Sequence, residues 1–246
     1  MSRYYYPTRD TNRNRQGTPT RTQTHKPWFK SPVILLAILL GLGVVGTTLI
    51  IEFTTPRVIH IRADDNSDSA NNYTTQRQQH CQASIQHYKP GDVAIYMPFA
   101  DRAVTKQHIS ILNSLSLLGQ CQDTTRAIHN RVAGTSLILL LERIEKTVKQ
   151  ERARKNVNPV AVTIAIQDDE PGPNQPNPQD IERVKTLVHN ITQDNGAIAF
   201  MVEDETLKNQ LETNLTSERN VNICEFKEIS NCVNWAFETA RKPTSQ

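Results

Sequence analysis

An uncharged apolar segment near the amino terminus, Val33–Ile51, constrains this chain more than any other feature. Thr47 and Thr48 are its only polar side chains. A helix rises about 1.5 Å per residue, so a segment of this length spans roughly 28 Å, about one hydrocarbon core. Because lipid offers no hydrogen-bond partners to the backbone, we expect one transmembrane helix over residues 33–52.

The charges that flank this segment predict its orientation. Before it stands a single acid, Asp10, among seven basic residues: Arg3, Arg9, Arg13, Arg15, Arg21, Lys26 and Lys30. Such an excess keeps the amino terminus in the cytoplasm, so everything from about Phe53 onward lies outside. The alternative is a cleaved signal peptide, which has a shorter apolar region and a small-x-small cleavage site. We therefore expect a signal-anchor that makes this a single-pass protein of the cell membrane.

The rest of the chain divides by composition. Residues 1–32 are poor in aliphatic side chains and predict a disordered, basic cytoplasmic segment. Residues 53–78 end in the polar run ADDNSDSANNYTTQ and predict a flexible linker. Residues 79–242 predict one folded outer domain, periplasmic or extracellular, and residues 243–246 a short tail. The first 53 residues hold seven of the 28 Lys and Arg, which leaves the outer part nearly neutral and argues against nucleic acid as its partner.

Strand and helix patterns alternate along the outer domain. Near-continuous apolar runs predict strands at 92–97, 159–166, 196–202 and 220–226. Residues 124–132 predict a further strand or hairpin arm, and three- and four-residue apolar spacing predicts helices at 105–118, 134–154, 180–191, 205–215 and 230–241. This order is typical of an α/β fold in which a mostly parallel sheet carries helices on both faces.

All four cysteines lie on the outer side of the segment that we expect to span the membrane, where disulfides form. Four cysteines allow three connectivities. We favour the two pairs that are closest in sequence, Cys81–Cys121 and Cys224–Cys232. A metal site is the competing interpretation, but no CxxC or HxxxH spacing supports it.

Over residues 88–241 the chain resembles a von Willebrand factor type A domain. GDVAIYMPFAD stands where that family has its first strand and metal-binding loop. AGTSLILLLERIEKTV is similar to the family's Gly-Thr turn and long helix, and VAVTIAIQDDE to its central strand and acidic loop. The resemblance implies a Rossmann-like sheet whose strand carboxyl ends form a binding rim for proteins.

In this family an Asp-x-Ser-x-Ser motif, a Thr and an Asp hold a divalent cation, for which such hard oxygen ligands are suited. On this alignment Met97, Phe99 and Asp101 occupy the three motif positions, so the motif is degenerate. Thr135 and Asp168 match the other two ligands. The resemblance therefore implies at most a weak site for Mg²⁺ or Ca²⁺, formed by Asp101, Thr135 and Asp168, and no other cofactor.

Each of these residues also has an ordinary structural interpretation. Thr135 or Ser136 is suited to cap the helix that follows. Asp168 and Asp169 are typical loop residues after a strand.

The sequence contains no G-x-S-x-G, phosphate-loop or HExxH motif. The histidines show no ligand spacing, and we expect His60, His80, His87 and His108 to be surface or capping groups. The sequence thus predicts a membrane-anchored protein-binding or assembly module that is not an enzyme. Two alternatives stay open: a hydrolase or other envelope enzyme that uses acidic rim residues, and a structural subunit that assembles through its membrane span.

Overall fold

The computed structural model describes residues 56–67, 69–100, 107–110, 121, 135–155, 159–167 and 178–242. All of them belong to the second of the two compact units into which the chain divides, Ile51–Gln246. The predicted anchor Val33–Ile51, the basic segment before it and the tail lie outside the described residues. Within the described ranges no helix has the length and apolarity needed to cross a membrane.

Within the residues that the structure describes, six strands form one sheet in the order β3-β2-β1-β4-β5-β6. Five of them are parallel, and β3 runs antiparallel to β2 along one edge. The strands are β1 (Ile59–Asp65), β2 (Val93–Phe99), β3 (Gln107–Ser110), β4 (Val160–Ile166), β5 (Gly196–Val202) and β6 (Val221–Glu225).

Helices cover both faces of this sheet, in the three-layer arrangement expected of an α/β domain. The helices are α1 (Thr74–His87), α2 (Leu137–Lys155), α3 (Pro178–Thr192), α4 (Glu205–Leu215) and α5 (Ile229–Arg241). Short 3-10 turns at Ser69–Tyr73 and Phe226–Glu228 precede α1 and α5. Apolar side chains of α2, α3 and α4 pack on one face, and those of α1 and α5 on the other.

The strands in the middle of the sheet are fully buried, as sequences covered on both faces must be. Alternate residues of β4 face opposite layers because side chains alternate along a strand. Val162 and Ile164 pack under α2 and α3, whereas Ala161 and Ala165 face α5. The predicted α/β fold with a mostly parallel sheet is therefore confirmed.

Two predicted elements were wrong. Residues 53–78 are not simply a linker, because Ile59–Asp65 is strand β1, which pairs with β2 on one side and β4 on the other. The 3-10 turn and the start of α1 also fall before residue 79, so the domain begins earlier than predicted. Gln107–Ser110 forms edge strand β3, where a helix over 105–118 was predicted.

Both predicted cysteine pairs are present as disulfides. The Cα atoms are 5.6 Å apart in Cys81–Cys121 and 6.3 Å apart in Cys224–Cys232, within the range that a disulfide spans. The first bond ties α1 to residue 121, and the second ties β6 to α5.

Candidate functional site

The carboxyl end of β1 lies at the centre of the sheet's rim and carries a buried acidic residue, Asp65, which is 4% exposed. The Ser67 backbone N–H donates to Asp65 Oδ1 over 2.9 Å. The Gln167 N–H, just after β4, donates to Asp65 Oδ2 over 3.3 Å. Asp65 is thus held by backbone from two neighbouring strand ends. A general rule for open α/β sheets places ligand sites at this edge.

Thr135, immediately before α2, joins Asp65 at this rim. Its hydroxyl lies 3.5 Å from both Asp65 carboxylate oxygens, and the residue is 2% exposed. The capping role belongs instead to Ser136, whose side-chain oxygen accepts from the Leu139 N–H over 3.4 Å. The predicted alternative of a cap is therefore met by Ser136, while the Thr135 hydroxyl is directed at a carboxylate.

The residues after β1 have the spacing that the sequence-based alignment sought elsewhere. Asp65, Ser67 and Ser69 form an Asp-x-Ser-x-Ser pattern directly after the central strand. The assignment of that motif to residues 97–101 was wrong, because Met97 and Phe99 are buried core residues of β2. The same spacing therefore occurs 32 residues before the segment to which the motif was assigned.

Of the three metal ligands predicted from sequence, the structure describes only Thr135, which it places beside Asp65. Asp101 and Asp168 lie outside the described residues, as does Asp169. In sequence Asp168 directly follows Gln167, whose N–H donates to Asp65. The signal that could have located the site was the Asp-x-Ser-x-Ser spacing within the segment interpreted as a linker.

The donor atoms at this rim are suited to a hard divalent cation. A carboxylate and the hydroxyls of Ser67 and Thr135 are oxygen ligands of the kind that Mg²⁺ and Ca²⁺ prefer. Ser67 is 2% exposed, so these groups are withdrawn from bulk water. The side-chain carbonyl oxygen of Gln167 is also buried here and has no hydrogen-bond partner among the described residues. No group of three or more His, Cys, Asp or Glu side chains suited to a metal occurs in the described part of the chain; the rim relies on hydroxyls.

Behind the same strand lies a second polar cluster, which we call the core relay: Asp64, His80, Thr163, His60 and Tyr88. His80 Nδ1 lies 2.5 Å from Asp64 Oδ1, and its Nε2 lies 2.7 Å from Thr163 Oγ1. His60 Nε2 lies 2.9 Å from the same hydroxyl, and its Nδ1 lies 2.7 Å from the Tyr88 hydroxyl. Both histidines are completely buried, so their prediction as surface groups was wrong.

Hydrogen-bond chemistry assigns a direction to the core relay. An ionised carboxylate only accepts, so His80 donates from Nδ1 and its Nε2 accepts the Thr163 proton. The Thr163 oxygen then accepts from His60 Nε2–H, and His60 Nδ1 accepts from the Tyr88 hydroxyl. Each neutral histidine is thereby confined to one tautomer, and each hydrogen bond of the core relay has one donor and one acceptor.

Burial and neighbouring charges favour this neutral state of the histidines. Burial holds the pKa of His60 well below its usual value, and the positive charge of Arg62 lowers it further. Burial also lowers the pKa of His80, although the Asp64 carboxylate opposes that shift. The pKa of Asp64 is lowered despite its burial, because His80 and Arg62 stabilise the anion. Arg62 Nε lies 3.1 Å from Asp64 Oδ2 and its guanidinium covers the Tyr96 ring at 4.3 Å.

A hydroxyl, a histidine and a carboxylate in a row have the order of a nucleophilic triad. Here Thr163, His80 and Asp64 are all 0% exposed, so no substrate reaches the hydroxyl. His60 holds the same oxygen from the other side. The core relay is therefore a structural link between the sheet, α1 and the Tyr88 that follows it.

No protein-family model matches the sequence, and no curated protein matches it either. Solved structures are similar in fold. A von Willebrand factor type A protein from Catenulispora acidiphila matches with a TM-score of 0.52 at 12% identity, over 76% of this chain and 42% of that one. An aerotolerance-related membrane protein from Bacteroides fragilis matches with a TM-score of 0.52 at 11% identity, over 74% of this chain and 98% of that one.

Proximal thread matrix protein 1 from the mussel byssus, solved with zinc in its metal-site motif, has a TM-score of 0.50 at 13% identity. That match covers 76% of this chain and 48% of the mussel chain, so the match spans less than half of the Catenulispora and mussel proteins. Similarity at such low identity shows the fold alone. The described domain has the fold of von Willebrand factor type A domains.

Proposed function

We propose that this chain is a membrane-anchored, extracytoplasmic module that binds a protein partner through a divalent cation held at its rim. The observation that carries the proposal is the meeting of Asp65, Ser67 and Thr135 at the carboxyl end of the central strand. Ser69 and Asp168 complete the ligand set by sequence. When bound, the cation would supply a positive centre that attracts a carboxylate of the partner.

The role proposed is binding, not catalysis. The buried Thr163–His80–Asp64 row is closed to substrates, and the rim groups that the structure describes are one carboxylate, Asp65, with hydroxyls. The location is proposed from the uncharged segment Val33–Ile51 and its basic flank. The two disulfides support it, because such bonds persist in oxidising compartments.

A shallow cleft beside the rim extends the surface available to a partner. It has a volume of about 280 Å³ and lies at the carboxyl ends of β5 and β6. Glu203, Lys208 and Lys227 line it, so its charge is mixed. A partner that presents a carboxylate to the cation would also meet polar groups here.

Photo-crosslinking in native membranes tests the proposal with the full-length chain. Crosslinkers replace Leu139, which is 46% exposed near the rim, and exposed Glu203; a control crosslinker replaces exposed Gln86 at the far end of α1. We expect partner adducts from the two rim positions. Chelation and Asp65→Asn should each abolish these adducts, and added Mg²⁺ or Mn²⁺ should restore those lost on chelation.

The matched variant Asp204→Ala removes another carboxylate from the same end of the sheet. Asp204 caps α4 by accepting from the Leu207 N–H over 2.7 Å, so this change should leave the adducts intact. Rim adducts that survive both chelation and Asp65→Asn would overturn the proposal.

A further inference from the structure

Arg77, on the first turn of α1, reaches back under the loop that carries the proposed cation ligands. Its side chain is almost fully buried, with the residue 5% exposed. Nη1 donates to the Asp65 carbonyl over 3.1 Å and to the Ala70 carbonyl over 2.8 Å. Nη2 donates to Thr74 Oγ1 over 3.3 Å. One guanidinium thus joins both ends of the loop to the helix that follows.

The loop between those two carbonyls contains the Asp-x-Ser-x-Ser ligands. Its entry is also held by the Asn66 N–H, which donates to the Phe99 carbonyl over 2.7 Å. Its exit continues through the 3-10 turn into α1. A side chain that joins the Asp65 and Ala70 carbonyls limits how far the loop between them can open.

Arginine is suited to this role because its planar guanidinium presents donors at fixed angles, whereas a lysine ammonium is a flexible point charge. Hydrogen bonds from a charged donor are roughly twice as strong as neutral ones. The positive charge of Arg77 by itself would disfavour a nearby cation, so any gain in cation affinity from Arg77 has to come from geometry. The two effects change cation affinity in opposite directions, which distinguishes a positioning role from a purely electrostatic one.

We infer that Arg77 is a positioning residue, which holds the loop from Asp65 to Ala70 in the conformation that binds the cation. This inference rests on the proposed function. It gives Arg77 no contact with the cation or with the partner.

Two substitutions separate charge from geometry. Arg77→Lys keeps the positive charge but cannot join both carbonyls, and Arg77→Met removes the charge as well. We expect both to weaken Mn²⁺ binding to the full-length chain in detergent by about ten-fold or more, the range seen when groups that orient metal ligands are lost. A merely electrostatic Arg77 would instead leave affinity unchanged in Arg77→Lys and raise it in Arg77→Met.

Arg241 provides the matched control. It is a half-buried arginine that, like Arg77, donates to a backbone carbonyl, in this case that of His87 over 2.9 Å, and it pairs with Asp92. This cluster lies before β2, at the opposite end of the strands. Arg241→Lys should lower the melting temperature but leave Mn²⁺ affinity as in the wild type.

Hydrogen exchange of the cation-free protein gives a second readout. The Asn66 amide donates to the Phe99 carbonyl of β2 and the Ser67 amide to the Asp65 carboxylate. The protection of both amides should fall in Arg77→Lys but not in Arg241→Lys. Suppose that the wild type binds Mn²⁺, and that Arg77→Lys and Arg241→Lys equal each other in Mn²⁺ affinity and in amide protection of the loop. Only the inference about Arg77 is then overturned. If wild type binds no Mn²⁺, the proposed function fails, and the inference fails with it.

Discussion

Residues 60, 62 and 64 place a histidine and two charged groups on the face of strand β1 that α1 and α5 cover. Burying such groups costs several kcal/mol unless each has a partner. Here the partners are present: Thr163 and Tyr88 for His60, and Arg62 with His80 for Asp64. The core relay therefore adds directional contacts between β1, β4 and α1, while Ile59 and Ile61 supply apolar packing on the opposite face.

The buried histidines predict that the domain loses stability in mild acid. The pKa of His60 is depressed in the folded state, so the unfolded chain takes up its proton first as the pH falls below about 6.5. The stability that neutral His60 contributes is full above that pH and declines below it, by about 1 to 2 kcal/mol per pH unit. His80 adds a smaller loss because Asp64 favours its charged form.

Several charged and titratable groups surround this pair: Asp64, Arg62, Arg77, His87, Arg241, Tyr88, Tyr96 and Asp92. None of the carboxylates faces His60 closely enough to reverse the shift of its pKa.

Urea unfolding at pH 7.5, 6.5 and 5.5 measures the predicted loss of stability in mild acid. A free energy of unfolding that does not fall from pH 7.5 to 5.5 would contradict the assignment of neutral buried histidines.

At the scale of elements, β1 shows where sequence reasoning failed and why. Strands buried on both faces were expected to be continuous apolar runs, as β4 and β5 are. β1, with the sequence IHIRADD, alternates instead, because alternate positions join the core relay. β1 therefore lacks the continuous apolar run that was expected of a buried strand, and the polar run after it is typical of a linker. The strand that carries the rim carboxylate was therefore missed, and the metal motif was assigned to the neighbouring strand.

Elements with ordinary apolar patterns were predicted well. The helices α2, α3, α4 and α5 and the strands β2, β4, β5 and β6 lie close to their predicted bounds. Thr135 was selected as a metal ligand because the Gly-Thr turn before a long helix is a local signal. The structure places it 3.5 Å from the Asp65 carboxylate oxygens, and its role as a ligand stays a prediction. The contacts that join Thr135, Asp65 and Gln167 depend on strand order, which no local pattern contains.

The two disulfides should contribute unequally to stability. Cys81–Cys121 closes a loop with a sequence separation of 40, whereas Cys224–Cys232 has a separation of 8. If a disulfide acts mainly by restricting the unfolded chain, the longer loop contributes about 4 kcal/mol and the shorter about 2.5 kcal/mol. Paired Cys→Ala variants, compared by urea unfolding, should therefore rank in that order. A larger loss from the Cys224–Cys232 pair would show that native packing around buried Cys232 outweighs chain entropy.

At the scale of the whole molecule, the proposal combines a location and a binding rim. The apolar segment and its basic flank predict where the domain is held. The parallel sheet brings the carboxyl ends of β1 and β4 and the start of α2 together at the rim. The amino-terminal segment thus supports the proposed location, and the folded domain supports the proposed binding function, which depends on the rim.

Calorimetric titration of the full-length chain in detergent with Mn²⁺, Mg²⁺ and Zn²⁺ tests the rim most directly. We expect the wild type to bind one cation per chain with micromolar to millimolar affinity. Asp65→Asn should lose this binding, and Asp204→Ala should bind as the wild type does. Titrations of wild type and Asp65→Asn that cannot be distinguished would contradict the account.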